Sequence, residues 1–225
     1  MTAAWAAADF TALWLTLRVA GWATLLALVA GVAFGFLTAR ARFPGRELLD
    51  ALLTLPLVLP PTVLGYYLIV TFGRNAPLGR FLDEQLGVQL IFTWQGAVIA
   101  AALVAFPMVF KAARAAFEAV DRPLEQAARV LGAGEWKVFL RVTLPLASRG
   151  IVAGTAMAFA RAMGEFGATL MIAGNIPGQT QTLSMAIHDA VQAGDDASAN
   201  VLVVLISVVC VLILLVAGRL LRPRP

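Results

Sequence analysis

Charge is what this chain most conspicuously lacks. Asp, Glu, Lys and Arg make up 13% of its 225 residues, against 60% hydrophobic. A soluble domain carries about 25% charged residues, so an ordinary soluble domain is excluded. The mean hydropathy of +0.85 points the same way. A single cysteine, Cys210, excludes a disulfide framework or a cysteine-built metal site within one chain. A single histidine, His188, excludes a multi-histidine metal site. Seventeen Lys and Arg against thirteen Asp and Glu leave +4, but the cations sit at the ends of apolar runs. The basic balance is therefore a topology signal, and no nucleic-acid partner is inferred.

What the chain has in abundance is long uncharged stretches. Residues 19–39, 51–73, 85–110 and 199–218 contain no Asp, Glu, Lys or Arg. A bilayer core about 30 Å thick needs roughly 20 helical residues to cross it, and each of these runs suffices. A fifth apolar span, 150–172, is interrupted by Arg161 and Glu165. The pattern predicts an all-α membrane protein with about five transmembrane helices, at 13–38, 51–73, 91–110, 150–172 and 200–218, in a single domain covering 1–225. The N-terminus MTAAWAAADF lacks a basic region and the first apolar run is long, so the first helix is expected to stay rather than be cleaved as a signal peptide.

Lys and Arg in short loops are retained on the cytoplasmic side. The loop after the first span holds Arg40, Arg42 and Arg46, the loop after the third holds Lys111, Arg114, Arg122, Arg129, Lys137, Arg141 and Arg149, and the tail holds Arg219, Arg222 and Arg224. The opposite loops hold Arg74 and Arg80, and 173–199 holds no cation. Thirteen against two predicts an outside N-terminus and a cytoplasmic C-terminus.

The segment 111–149 is far longer than the joining of two helices requires. Asp121 caps an expected helix with Pro123 at its second position and Gly132 past its end, with Gly134 close behind. Leu124, Ala127, Ala128 and Leu131 recur at i, i+3, i+4, i+7 and form one small-residue apolar stripe, with Glu125 and Arg129 as an expected i,i+4 pair on the other side. A second amphipathic stretch carries Trp136, Phe139 and Leu140 opposite Lys137 and Arg141 and is expected to end at Leu144-Pro145. Such a helix either lies on lipid headgroups or receives another protein. Two alanines bury little area in lipid, yet they let a protein surface approach closely.

The run Glu125-Gln126-Ala127-Ala128-Arg129-Val130-Leu131-Gly132-Ala133, with Leu144-Pro145 twelve residues after the glycine, resembles the EAA loop of bacterial ABC importer permeases. Matched residue by residue, Ala127, Ala128, Gly132, Leu144 and Pro145 carry over, while Gln126 stands at the family's usual glutamate position with Glu125 one residue earlier. The stretches 55–66, LPLVLPPTVLGY, and 161–169, RAMGEFGAT, resemble the sulfate and molybdate permease group, and 174–182, GNIPGQTQT, is closer to its molybdate members. The resemblance covers nearly the whole chain. It implies the type I ABC importer permease fold, a coupling helix that inserts into an ATPase subunit, and a bacterial cytoplasmic (inner) membrane location. The implied partners are a second copy of the chain, two ATP-binding-cassette subunits and an extracytoplasmic oxyanion-binding protein. No Gly-x-x-x-x-Gly-Lys-Ser/Thr phosphate loop occurs here; no cofactor is expected in this chain, with ATP and Mg bound by the partner ATPase.

Within the spans, Pro56, Pro60 and Pro61 remove backbone donors and are expected to bend or break the second helix. The break either serves a moving pore or is a packed structural kink. On the fourth span Gly154, Ala158, Arg161, Glu165 and Ala168 are expected to share one face, with Arg161 and Glu165 paired because an unpaired charge costs roughly 3 kcal/mol on insertion scales. With Pro60 and Pro61 they are candidates for the translocation path or the dimer face, the alternative being a bundle-internal ion pair that fixes packing. Arg18 is expected to snorkel to headgroups, His188 to lie in an exposed loop, and Cys210 to fill space in the last helix. The segment 173–199 is expected to face outside and receive the binding protein, with its apolar part, 183–191, alternatively folding back as a short interfacial helix.

Two other classes compete. A self-sufficient secondary transporter or channel would want coupling-ion carboxylates in its helices and usually an internal repeat; Glu165 alone qualifies. A membrane enzyme would need a metal or nucleophile constellation that one His and one Cys do not supply. The sequence reading is thus an ATP-driven permease for molybdate, with tungstate or sulfate as alternatives.

Overall fold

The structure is a computed structural model that describes residues 2–41 and 43–221. Arg42, Arg222 and Arg224, counted above among the cations, lie outside the described residues. The described chain is all helix and turn. Four helical stretches are long and apolar enough to cross a membrane, Phe10–Arg40, Trp94–Glu118, Glu135–Met163 and Asp196–Val216, and a bent pair, Arg46–Val58 with Pro61–Phe72, makes a fifth candidate.

Helix α1 (Thr2–Arg40) and helix α5 (Trp94–Glu118) form the main contact of the bundle. Small residues make it possible: a Cβ on Gly31 would lie 2.8 Å from Val109 Cγ1, a distance that leaves no room for a side chain. Helix α8 (Leu144–Met163) lies on another side of α5, where a Cβ on Gly154 would fall 2.2 Å from Ala112 Cβ. Helix α5 is therefore the centre of the fold, and α11 (Asp196–Leu221) is its most exposed span. Asp195 precedes α11 and accepts from the Ser198 backbone N–H (3.1 Å) and hydroxyl (2.7 Å); these bonds hold its carboxyl below its ordinary pKa.

The second span is broken. Helices α2 (Arg46–Val58) and α3 (Pro61–Phe72) meet at 111°. Leu59 and Pro60 are extended, with ψ of 141° and 139°, because a residue followed by proline is driven out of the helical region. Pro56 stays inside α2, so the break belongs to Pro60-Pro61. The fourth span, expected as one helix over 150–172, is two: α8 ends at Met163, and α9 (Gly167–Ala173) starts after Gly164, Glu165 and Phe166. At the break Glu165 Oε1 accepts from Ala168 N–H at 3.0 Å, satisfying a donor in the first turn of α9. The two breaks adjoin: a Cβ on Gly167 would lie 3.0 Å from Pro61 Cβ, and one on Gly65 would lie 2.5 Å from Met171 Cβ.

The expected non-membrane segment 111–149 is largely helical, in three stretches separated at 119–121 and 131–134. Helix α5 runs on to Glu118, and α7 (Glu135–Val138) passes through a π turn (Phe139–Thr143) into α8. Leu144-Pro145 does not end this helix, contrary to the sequence reading. Proline at the second position of α8 demands no donor there, and the wider turn carries the Leu144 N–H to Phe139 O. What stands apart is α6 (Arg122–Val130). At the opposite end of the bundle lie α4 (Pro77–Leu86), which the sequence reading had not anticipated, and α10 (Leu183–Gln192), on the stretch read as a short helix.

Candidate functional site

Helix α6 has one face turned to the chain and one turned away. Asp121 occupies its N-cap without a side-chain cap bond, Pro123 follows at the second position, and Gly132 at φ 82° closes it, with Ala133 N–H donating to Ala128 O. On the inner face Glu125 is 5% exposed. Its Oε1 accepts from Arg40 Nη2 at 2.7 Å and from the Thr143 hydroxyl at 2.6 Å. The expected Glu125–Arg129 pair does not form, because Glu125 turns inward to these partners. Arg129 instead donates to both carboxylate oxygens of Glu135, at 2.6 and 2.9 Å, bonds that hold the guanidinium above its ordinary pKa. A polar cleft of about 300 Å³ lies between α6 and the bundle, bordered by Arg40, Arg122, Gln126, Arg129 and Glu135.

The outer face is different. Val130 and Leu131 are 86% and 87% exposed, Leu124 and Ala127 are exposed, and Ala128 is half-buried. Trp136 is exposed beside it, stacked on Phe139 with centroids 5.7 Å apart. Burying one large aliphatic side chain is worth about 1.5–3 kcal/mol, so this face has a strong incentive to be covered.

The second candidate region is the pair of breaks. Arg161 Nη1 lies 3.0 Å from Glu165 Oε2, and Glu165 is buried. One carboxylate thus bonds the first turn of α9 and neutralises a span cation together. Pro60 and Pro61 are exposed at the other break. Gly154 and Ala158 do not belong with them: both are buried on the α5 side of α8 within this chain. Of the expected face, Gly154, Ala158 and Arg161 keep their i, i+4, i+7 spacing on α8, whereas Glu165 and Ala168 lie beyond its end, and the Gly154 surface is taken up by packing on α5.

Arg18 lies over the Trp94 ring, 3.8 Å from its centroid, a cation–π contact rather than simple snorkelling. His188 is exposed on α10, not in a loop, with its ring 5.0 Å from that of Phe166. Cys210 packs against the main core from α11. The loop 174–182 is tied to α10 by Asp189, which accepts from Asn175 and Gln181 Nε2 at 2.8 Å. The sequence reading missed Arg40 and Thr143 as partners of Glu125, and missed an ion network joining α2 to α5 through Arg46, Asp50, Lys111, Arg114 and Glu118. Their separations of up to 85 residues leave no local signal.

Residues 31–225 match the family described as "Binding-protein-dependent transport system inner membrane component". The chain belongs to this family. As one of its permeases, it is 45% identical over 209 residues to the molybdenum transport system permease protein ModB of Escherichia coli K12, covering 92% of this chain and 91% of that protein. It is 44% identical to the putative molybdenum transport system permease protein YvgM of Bacillus subtilis 168, covering 91% and 90%. The sulfate transport system permease protein CysT of E. coli K12 is 37% identical, covering 83% of this chain and 67% of that one. Among solved structures, the methionine ABC transporter MetNI in an inward-facing form contains a chain matching this permease with a TM-score of 0.73 at 20% identity, covering 94% and 93%. A bacterial alginate ABC transporter gives 0.76 at 18%, covering 95% and 78%. At these identities the structures establish the type I importer permease fold alone.

Proposed function

We propose that this chain is the membrane subunit of an ATP-driven importer of molybdate, with residues 1–225 forming one permease domain. Two copies enclose the path. Two ATP-binding-cassette subunits bind and hydrolyse ATP with Mg, and an extracytoplasmic oxyanion-binding protein delivers the substrate. The observation that carries this reading is the uncovered face of α6. A helix with an apolar outer face and a buried, hydrogen-bonded inner face is held rigidly to be gripped by another protein, as a coupling helix must be.

The excess of cations at the α6 end of the bundle supports a cytoplasmic location for α6 and for the C-terminus. Closure of the ATPase pair draws the two α6 helices together, so that the path opens outward with ATP and inward without it. The path itself has no need of a tight oxyanion site, since transport requires weak, transient binding. Arg161 and Glu165 neutralise each other beside the breaks, which suits a path that lets a dianion pass without holding it. The breaks at 59–60 and 164–166 are where the wall of the path bends.

Molybdate is favoured over sulfate because the relatives named for molybdenum transport are 40–45% identical over 85–96% of the chain, against 37% for those named for sulfate. Uptake of trace labelled molybdate by cells with and without this chain tests the assignment. Uptake that depends on the chain, resists excess sulfate and yields to tungstate is expected. Uptake blocked equally by sulfate would transfer the chain to sulfate transport.

A further inference from the structure

Helix α2 differs from every long helix of the bundle in having no buried residue. Leu48, Leu52, Leu55 and Val58 are all exposed, so no hydrophobic lock fixes it to the rest of its own chain. What ties it down is charge. Arg46 Nη2 lies 2.7 Å from Glu118 Oε1, Lys111 Nζ lies 2.6 Å from Asp50 Oδ2, and Arg114 reaches both Asp50 and, at 3.0 Å, Glu118. Each carboxylate thus bridges two cations, and each bridge crosses from α2 to α5 or closes along α5.

The position of this network is informative. Glu118 is the last residue of α5, and residues 119–121 alone separate it from α6. That connection is stiff: Ala119 N–H donates to Ala115 O, Val120 N–H donates to Phe117 O, and Phe117 and Val120 are buried. At its other end α2 leads into the Leu59-Pro60 break, beyond which α3 packs on α9. Isolated surface ion pairs contribute little to stability, whereas a network with several members holds geometry better. Five side chains in one network therefore define where α2 stands relative to α5 without welding the two helices together.

We propose that Asp50 and Glu118 are positioning residues that transmit displacement of α6 to the broken second span. The inference rests on the assignment of α6 as coupling helix. When α6 is drawn inward, the end of α5 moves with it, the ionic clasp carries α2, and the break at Leu59-Pro60 converts that motion into a change at the α3–α9 contact. Without the clasp, α2 slips while α5 moves, and ATP is spent without opening the path.

The test uses the complete transporter in vesicles, with its ATPase subunits and binding protein, measuring labelled molybdate taken up and ATP hydrolysed in the same sample. For the double substitution Asp50→Asn, Glu118→Gln we expect at least a tenfold fall in molybdate per ATP, with hydrolysis within twofold of the wild type and subunit stoichiometry unchanged. Asp50→Glu, which keeps the charge, should recover most of the ratio. If the double variant fails to assemble, Arg46→Gln alone, which leaves Asp50 both its partners, should lower the ratio severalfold. An unchanged ratio, or an equal fall in hydrolysis and uptake, overturns the clasp. Absence of ATP-driven molybdate uptake in the wild type would instead overturn the functional assignment beneath it.

Discussion

Helices α5 and α2 are neighbours built on opposite principles. Twelve of the 25 residues of α5 are buried, many of them alanines, and its neighbours bring glycines to within backbone distance of it. Helix α2 buries none of its 13 residues and is clasped by ion pairs at one end and cut by two prolines at the other. Close packing of small residues has a steep, short-ranged penalty for displacement. An ionic clasp tolerates small shifts, because Coulomb energy varies slowly with distance. By that criterion α1, α5 and α8 are the frame, α3 and α9 are packed into the same buried core, and α2 is the element held by charge.

The sharpest way to break this comparison is to overfill the frame. Gly154→Leu drives a side chain into Ala112, where even a Cβ would sit at 2.2 Å; overpacking typically costs about 1–3 kcal/mol and occasionally more. Because this contact admits not even one extra carbon, we expect a cost at the upper end and little monodisperse protein by size-exclusion chromatography in detergent. Normal yield and thermal stability would show that α5 and α8 can separate, and the frame would lose its meaning.

A smaller effect is expected at the break itself. Glu165→Gln removes the charge facing Arg161 while keeping an oxygen for Ala168 N–H. An unpaired span cation costs about 2.5–3.5 kcal/mol on insertion scales, and the half-buried Arg161 can relieve part of that by turning outward. A thermal-shift measurement should give a loss of about 1–2 kcal/mol. A neutral result would mean that Arg161 already has another partner. The least effect belongs to α2: Leu52→Ala should change the stability of the isolated permease by under about 0.5 kcal/mol, as substitutions at exposed positions do. A loss as large as that of a buried leucine, about 2–5 kcal/mol, would make α2 part of the frame and erase the distinction.

The helical class and most of the span positions were legible in the sequence, because bilayer thickness imposes a length on every apolar run. The break in the second span was legible too, since consecutive prolines at 60 and 61 admit few backbone conformations. The break in the fourth was not. Glu165 read as half of an ion pair; that its other oxygen bonds the first turn of a new helix is a local choice that periodicity does not encode. The faces of α6 were half legible. The exposed stripe of Leu124, Ala127 and Leu131 followed from helical spacing, but Glu125 was assigned to Arg129 on spacing alone, and Arg40, 85 residues away, takes it instead. The same blindness to distant partners hid the α2–α5 clasp and the burial of Gly154 and Ala158 against α5.

The central claim is that the outer face of α6 receives the ATPase subunit. Ala128→Glu places a bulky charge at the half-buried edge of that face, leaving the Glu125 and Arg40 side chains themselves unchanged. In vesicles carrying the complete transporter, ATP hydrolysis and labelled molybdate uptake measured together decide the matter. Uptake below a tenth of the wild-type value, with the chain still present in the membrane and ATP still hydrolysed, is the result predicted here. Wild-type uptake in that variant would contradict it.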